Sequence, residues 1–338
     1  MCSIFLTTYP NRKKIKNSVN YKSTMKWKGR KKKIEIIKSG SYLPKNKVTN
    51  EELEKRWNLE QGYIKKRTGI ENRYIASEEQ VETLAWKAIE NIQITQQEKE
   101  KIGLIITATT TTKLLMPGIS NEIQKKLGIE TCICLDILAG CSGYINALDI
   151  AKMYLEKPEV QMALVIGVDK LSEFTNLKDI NTAILLGDGA GAVLFGKSEE
   201  NKKYTSLIQA ESENNEILTC KTDKMIQMNG TKIYKYAVTK TVENIKQLLE
   251  KAQENLEDIK YIIPHQSNQR IMKAITSRLG IEDEKMYTNI VRTGNTFCAS
   301  IPIAIDEIIK ENLLNKGDKV ILLGYGGGLN TGSVLLEI

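Results

Sequence analysis

Cys141 stands between glycines in Asp-Ile-Leu-Ala-Gly-Cys-Ser-Gly, residues 136–143. A buried structural thiol needs no such setting, whereas small neighbours let a second molecule approach a reactive sulfur closely. His265 is the only histidine, so any imidazole chemistry must happen there. Asn295, in Arg-Thr-Gly-Asn-Thr (292–296), adds a carboxamide donor. A thiol, an imidazole and a carboxamide suit acyl transfer through a thioester. The opposing reading is packing, because cysteine is among the most buried residue types. The other cysteines, at 2, 132, 134, 220 and 298, form no Cys-x-x-Cys pair. Scattered cysteines speak against structural zinc and for a reducing compartment. No metal is expected.

The elements that would position these groups come from a repeat. Ile105 in KIGLIITATT (101–110) matches Ile262 in DIKYIIPHQS (258–267). Cys141 in CSGYINAL likewise matches Cys298 in CASIPIAI, and Gly167 in ALVIGVD matches Gly324 in VILLGYG, each at an offset of 157 residues. A sixteen-residue deletion then aligns GAVLF (191–195) with GSVLL (332–336). Apolar runs such as GLIITAT, MALVIGV and KVILLGYG lack alternation and read as strands covered on both faces. After Cys141, Ile145, Leu148, Ala151 and Leu155 share one helix face, which puts the sulfur at a helix N-terminus. There the unpaired N–H groups and the macrodipole favour a thiolate. The expectation is a duplicated α/β chain with halves at 34–200 and 201–338, and Cys141, His265 and Asn295 close to the pseudo-twofold axis.

Composition limits the partners. Residues 1–33 hold eleven Lys or Arg and no acid, which leaves 38 basic against 41 acidic residues in the remaining chain. The overall charge of +8 therefore belongs to a leader rather than to a basic domain, and nucleic-acid binding has little support. No apolar run reaches the roughly 18 residues that cross a bilayer, so no membrane partner is expected. The leader reads as a disordered tail, or as an over-extended start with Met25 as the first residue. A transit peptide is the alternative, which would move the expected location from the cytoplasm to a plastid.

Further motifs extend this reading. DILAGCSGYINALDIA, IIPHQSNQRIM, GNTFCASIPIAIDE and GYGGGLNTGSVLL, with the upstream SGSYLPKNKVTNEELE, KKRTGIENRYIA and GDGAGAVLF, resemble the β-ketoacyl-acyl carrier protein synthase III family in order and spacing. The resemblance covers nearly everything from residue 34 onward. It implies the thiolase fold, a five-layered α-β-α-β-α sandwich, assembled as a homodimer. It also implies a Cys141–His265–Asn295 triad and an acyl-Cys intermediate. A short acyl-CoA would acylate Cys141, and malonyl-acyl carrier protein would then lose CO₂ and attack the thioester, which initiates type II fatty acid synthesis. His265 and Asn295 would donate to the enolate oxygen, and the N–H groups of Cys141 and Gly327 would form an oxyanion hole. CoA and phosphopantetheine arrive as substrates, so no cofactor is implied.

By the same resemblance, Tyr63, Arg67 and Asn268 would contact CoA, and Lys235, Arg270 and Lys273 the acidic carrier protein. Met116, Leu186 and Tyr325 would line acyl pockets, Met116 reaching that of the partner subunit. Tyr63 stands where many members have Trp, Met116 and Tyr325 where Phe is usual, and Thr331 where Trp is frequent. Phe297 and Cys298 replace small residues of the usual Gly-Asn-Thr-Ser-Ala-Ala-Ser. These departures spare the triad and bear on acyl-chain preference. A starter enzyme of a polyketide or quinolone-type pathway could share every catalytic motif. A non-catalytic partner subunit would typically lack the nucleophile that Cys141 supplies.

Overall fold

The computed structural model describes residues 33–213, 215–221 and 225–338. The expectations placed on residues 1–33 lie outside these residues, apart from Lys33 at the start of the first strand.

The unbroken apolar runs form two sheets. In the first, β1 (Lys33–Tyr42), β2 (Ile102–Ala108), β3 (Ile133–Ile137), β4 (Met162–Asp169) and β5 (Gly189–Ser198) lie in the order β1-β5-β4-β2-β3. The pairs β2–β3 and β2–β4 are parallel, and β4–β5 and β5–β1 are antiparallel. The second sheet holds β6 (Tyr204–Ala210), β7 (Ile259–Pro264), β8 (Lys319–Gly326) and β9 (Asn330–Glu337) in the order β7-β8-β9-β6. Here β7–β8 is parallel, and β8–β9 and β9–β6 are antiparallel. The sequence repeat thus pairs strands in equivalent places: β2 with β7, β4 with β8, and β5 with β9. The proposed boundary at 200/201 falls in the connection between β5 and β6.

Six main helices complete the layers. They are α1 (Val81–Glu90), α2 (Ile119–Leu127), α3 (Gly143–Leu155), α4 (Gly230–Ala252), α5 (Gln269–Leu279) and α6 (Ser300–Lys310). The two repeat-related helices, α3 and α6, each touch both sheets and so form the middle layer. Ile145, Leu148 and Ala151 of α3 and Ile301, Ala304 and Ile308 of α6 share one core with Val165 and Val193 of the first sheet and Leu322 and Val334 of the second. α1 and α2 cover the outer face of the first sheet, and α4 and α5 pack outside the second. Both faces of each sheet are covered, which is why the strands read as continuous apolar runs. The result is the expected α-β-α-β-α sandwich. Among the described residues, no helix is long and apolar enough to cross a membrane.

Candidate active site

Cys141 lies in a 3₁₀ turn, Gly140–Ser142, that leads directly into α3. No side chain caps this helix start. Gly140 takes φ +57°, and a Cβ there would meet the Gly327 carbonyl oxygen at 2.7 Å, so the turn requires glycine. Gly326 leaves equal clearance on the other side, since a Cβ would lie 2.7 Å from Cys141 Cβ. Burial pushes the Cys141 thiol up, and the buried carboxylate of Asp169 adds to this. The N–H groups of Gly327 and of Cys141 itself act on the sulfur in the opposite direction. The helix N-terminus was expected to favour a thiolate, yet in the closed fold burial outweighs that help.

Asp169, at the end of β4, is fully buried. Its carboxylate accepts hydrogen bonds from the Thr110 N–H (2.7 Å), the hydroxyls of Thr109, Thr110 and Thr111, and the Cys298 N–H (2.9 Å). It therefore ties the end of the first sheet to the turn that mirrors Cys141. The Cys298 thiol donates to the Gly140 carbonyl at 3.1 Å, directly behind the Cys141 turn.

His265 follows β7, where its N–H donates to Leu323 O at 2.7 Å. Its ring packs edge-on against Tyr325 (5.4 Å between centroids) and Phe297 (6.4 Å). Nδ1 lies 2.7 Å from Ser300 Oγ. Burial holds the imidazole down to about 3 from its ordinary 6.5, so the ring is neutral. Asn295 follows Gly294 (φ +69°), and its backbone bonds to Leu185 O and to the Gly187 N–H. The Phe297 N–H donates to Asn295 Oδ1 at 3.1 Å, which turns the amide NH₂ toward the cavity. Beneath this turn Arg73 is buried and donates to Ile184 O and Asn50 Oδ1, both at 2.8 Å.

Cys141, His265, Asn295, Leu186 and Tyr325 line one cavity of about 600 Å³. Its deep end is buried, and its outer end is formed by exposed Arg67, Arg270 and Tyr234. Arg67 stacks its guanidinium 4.3 Å from the Tyr63 ring centroid, although Tyr63 itself does not line the cavity. Asn268, which does, caps α5 through the Arg270 N–H (2.9 Å) and donates to Arg67 O (3.3 Å). Lys235 on α4 and Lys273 on α5 are exposed and lie outside the cavity lining. Met116 is 86% exposed and does not line this chain's cavity. Sequence reasoning assigned no role to Ser300, Asp169 or Arg73, although all three sit in segments read as strands or motifs. It had no signal for their burial, which depends on contacts between segments far apart in the sequence. Among the described residues, no cluster of three or more His, Cys, Asp or Glu could hold a metal.

Residues 135–215 match the family profile described as 3-oxoacyl-[acyl-carrier-protein] synthase III, and residues 249–338 match that of its C-terminal part. The β-ketoacyl-[acyl-carrier-protein] synthase III of Clostridium acetobutylicum is 36% identical over 319 residues, covering 90% of this chain and 98% of that relative. That of Aquifex aeolicus is 40% identical over 304 residues, covering 89% and 98%. The chain belongs to the β-ketoacyl-acyl carrier protein synthase III family. It is a condensing acyltransferase of the kind that initiates fatty acid synthesis. The crystal structure of the Aquifex aeolicus synthase III superposes with a TM-score of 0.86 at 39% identity, covering 90% of this chain and all of that one. The sandwich described above is thus the thiolase fold of synthase III enzymes.

Proposed function

We propose that this chain condenses a short acyl-CoA with malonyl-acyl carrier protein through an acyl-Cys141 intermediate, giving a 3-oxoacyl-acyl carrier protein and CO₂. The observation that carries this reading is the convergence of Cys141, His265 and Asn295, drawn from three elements of two halves, on one cavity. Cys141 attacks the acyl-CoA carbonyl and CoA leaves. Malonyl-carrier protein then loses CO₂, and its enolate attacks the new thioester. The N–H groups of Cys141 and Gly327 hold the tetrahedral oxyanion, a contribution typically worth a few kcal/mol. The Asn295 NH₂ and the His265 ring hold the enolate oxygen.

Arg67 and Tyr63 take the nucleotide end of CoA, and Asn268 faces the pantetheine. Arg270 and Lys273, one turn apart on α5, with Lys235 on α4, receive the acidic carrier protein. The reaction calls on no resident metal or cofactor. A second copy of the chain completes the enzyme. This is supported by β3, which among the described residues pairs on one side only, and by Leu115, Met116 and Leu138 near it, which are 88%, 86% and 73% exposed. The relatives named above are bacterial, which supports a cytoplasmic location and lends nothing to a plastid. The polyketide or quinolone-type alternative is not favoured, since these relatives carry the synthase III name.

Incubation with a panel of acyl-CoAs and malonyl-carrier protein, read by intact mass and peptide mapping, tests the proposal. The acyl group is expected on Cys141 alone, with carrier-bound 3-oxoacyl product. Burial pushes the Cys132 thiol up to about 12, and it stands away from the cavity beside Cys134. Acylation of Cys298, the repeat partner, would overturn the choice of nucleophile.

A further inference from the structure

Ser300 opens α6, is 2% exposed, and has a single hydroxyl proton to share between two close partners. Its Oγ lies 2.7 Å from the Phe297 carbonyl oxygen and 2.7 Å from His265 Nδ1. A carbonyl oxygen can only accept, so the hydroxyl must donate to Phe297. The second contact then holds only if Nδ1 carries its proton and donates to Ser300. A neutral imidazole has one N–H, which leaves Nε2 unprotonated on the side of the ring that faces the cavity.

We infer that Ser300 is a positioning residue that fixes His265 as the Nδ1–H tautomer, so that Nε2 meets the Cys141 thiol as a proton acceptor. Phe297 sets the polarity of this chain of bonds. Its backbone, at φ +45°, occupies a conformation that non-glycine residues seldom take, and so turns its carbonyl toward Ser300 while its N–H holds Asn295. Such strain persists only where the surroundings over-determine it.

The inference rests on the reading of Cys141 and His265 given above and supplies its proton path. Nε2 takes the thiol proton as the sulfur attacks the acyl-CoA carbonyl. CoA leaves as its thiolate and is protonated by solvent. The imidazolium, now N–H at both nitrogens and favoured over its substrate-free state by the incoming malonyl carboxylate and then by the enolate, donates from Nε2 to the enolate oxygen beside Asn295. When the tetrahedral intermediate expels the Cys141 thiolate, that proton returns to sulfur. One proton enters from solvent per turnover, and it leaves on CoA.

The chain has one histidine, so its imidazole ¹⁵N resonances need no assignment. In substrate-free, ¹⁵N-histidine-labelled protein at neutral pH, the spectrum is expected to show one protonated nitrogen, Nδ1, and one unprotonated, Nε2. Ser300→Thr, which keeps a hydroxyl, should preserve that pattern. Ser300→Ala should convert part or all of it to Nε2–H. In single-turnover assays Ser300→Ala should slow acylation of Cys141 about tenfold with KM for acyl-CoA held, a part of the roughly 10²–10⁴ that a positioned proton acceptor contributes. A wild-type ring protonated at Nε2, or an unchanged pattern in folded Ser300→Ala, would overturn the inference. The spectrum needs no substrate, so it is judged apart from the reaction. Protein that shows the Nδ1–H ring yet forms no acyl-enzyme would sink the functional reading and leave the tautomer standing.

Discussion

His265 enters the fold uncharged, and that has a cost in acid. Its folded value of about 3 lies below the ordinary 6.5, so between these limits the unfolded chain binds a proton that the native chain excludes. Stability from this group is complete above pH 6.5 and falls as pH drops toward 3. At about pH 4.5 the loss relative to neutrality is roughly 2–3 kcal/mol. His265→Gln removes the titrating group, so its urea-unfolding free energy should fall less between pH 7 and 4.5 than that of the parent. Parallel pH dependence in the two proteins would mean that the ring is protonated or solvated in the native state.

At the scale of elements, the repeat is a packing device. Gly167 of β4 lies against the carbonyl of Cys298, and Gly324 of β8 lies against Ser142, whose Cα would be 3.0 Å from a Cβ there. Each central strand thus leaves room for the turn that opens the other half's middle helix. A Cβ at Gly167 would fall on the Cys298 carbonyl oxygen, which is backbone and cannot swing away. Gly167→Ala should therefore destabilise the fold by roughly 1–3 kcal/mol. The urea midpoint should drop with an unchanged slope. Because the displaced turn holds Asp169 and the Cys141 loop, acylation should slow as well. A midpoint equal to the parent's would show that the two halves pack more loosely than described.

Across the whole molecule, the cavity is lined by one chain, and among the described residues an apolar edge lies exposed. β3 has no partner on its outer side among the described residues, and Leu115, Met116 and Leu138 lie exposed near it. If a second copy covers this edge, Leu138→Asp should weaken self-association at least tenfold by sedimentation equilibrium. An unchanged mass would remove this edge from the assembly. Met116 does not line the cavity that holds Cys141, so an effect on acyl choice would have to be exerted across an interface with a second copy. Met is slimmer and more adaptable than Phe, and an added methylene is worth about 1–3 kcal/mol in an apolar pocket. Met116→Phe should lower kcat/KM for hexanoyl-CoA relative to acetyl-CoA by about tenfold. A constant ratio would leave chain length to Phe297, whose ring lines the cavity from within.

The order of elements was open to reading because it rests on local pattern. Unbroken apolar runs mark strands buried on both faces, the Ile145–Leu155 spacing marks α3, and the offset of 157 residues marks the duplication. The same repeat, with a single histidine and a cysteine between glycines, singled out Cys141, His265 and Asn295. What the linear chain could not contain was the hydrogen-bond polarity of the site. The proton position on His265, the burial of Asp169 beneath Cys141 and the clamp of Arg73 on Ile184 all depend on atoms far apart in sequence. A sequence records which groups can donate or accept. Only the packed structure, by bringing one strained carbonyl to one serine, decides which of them does.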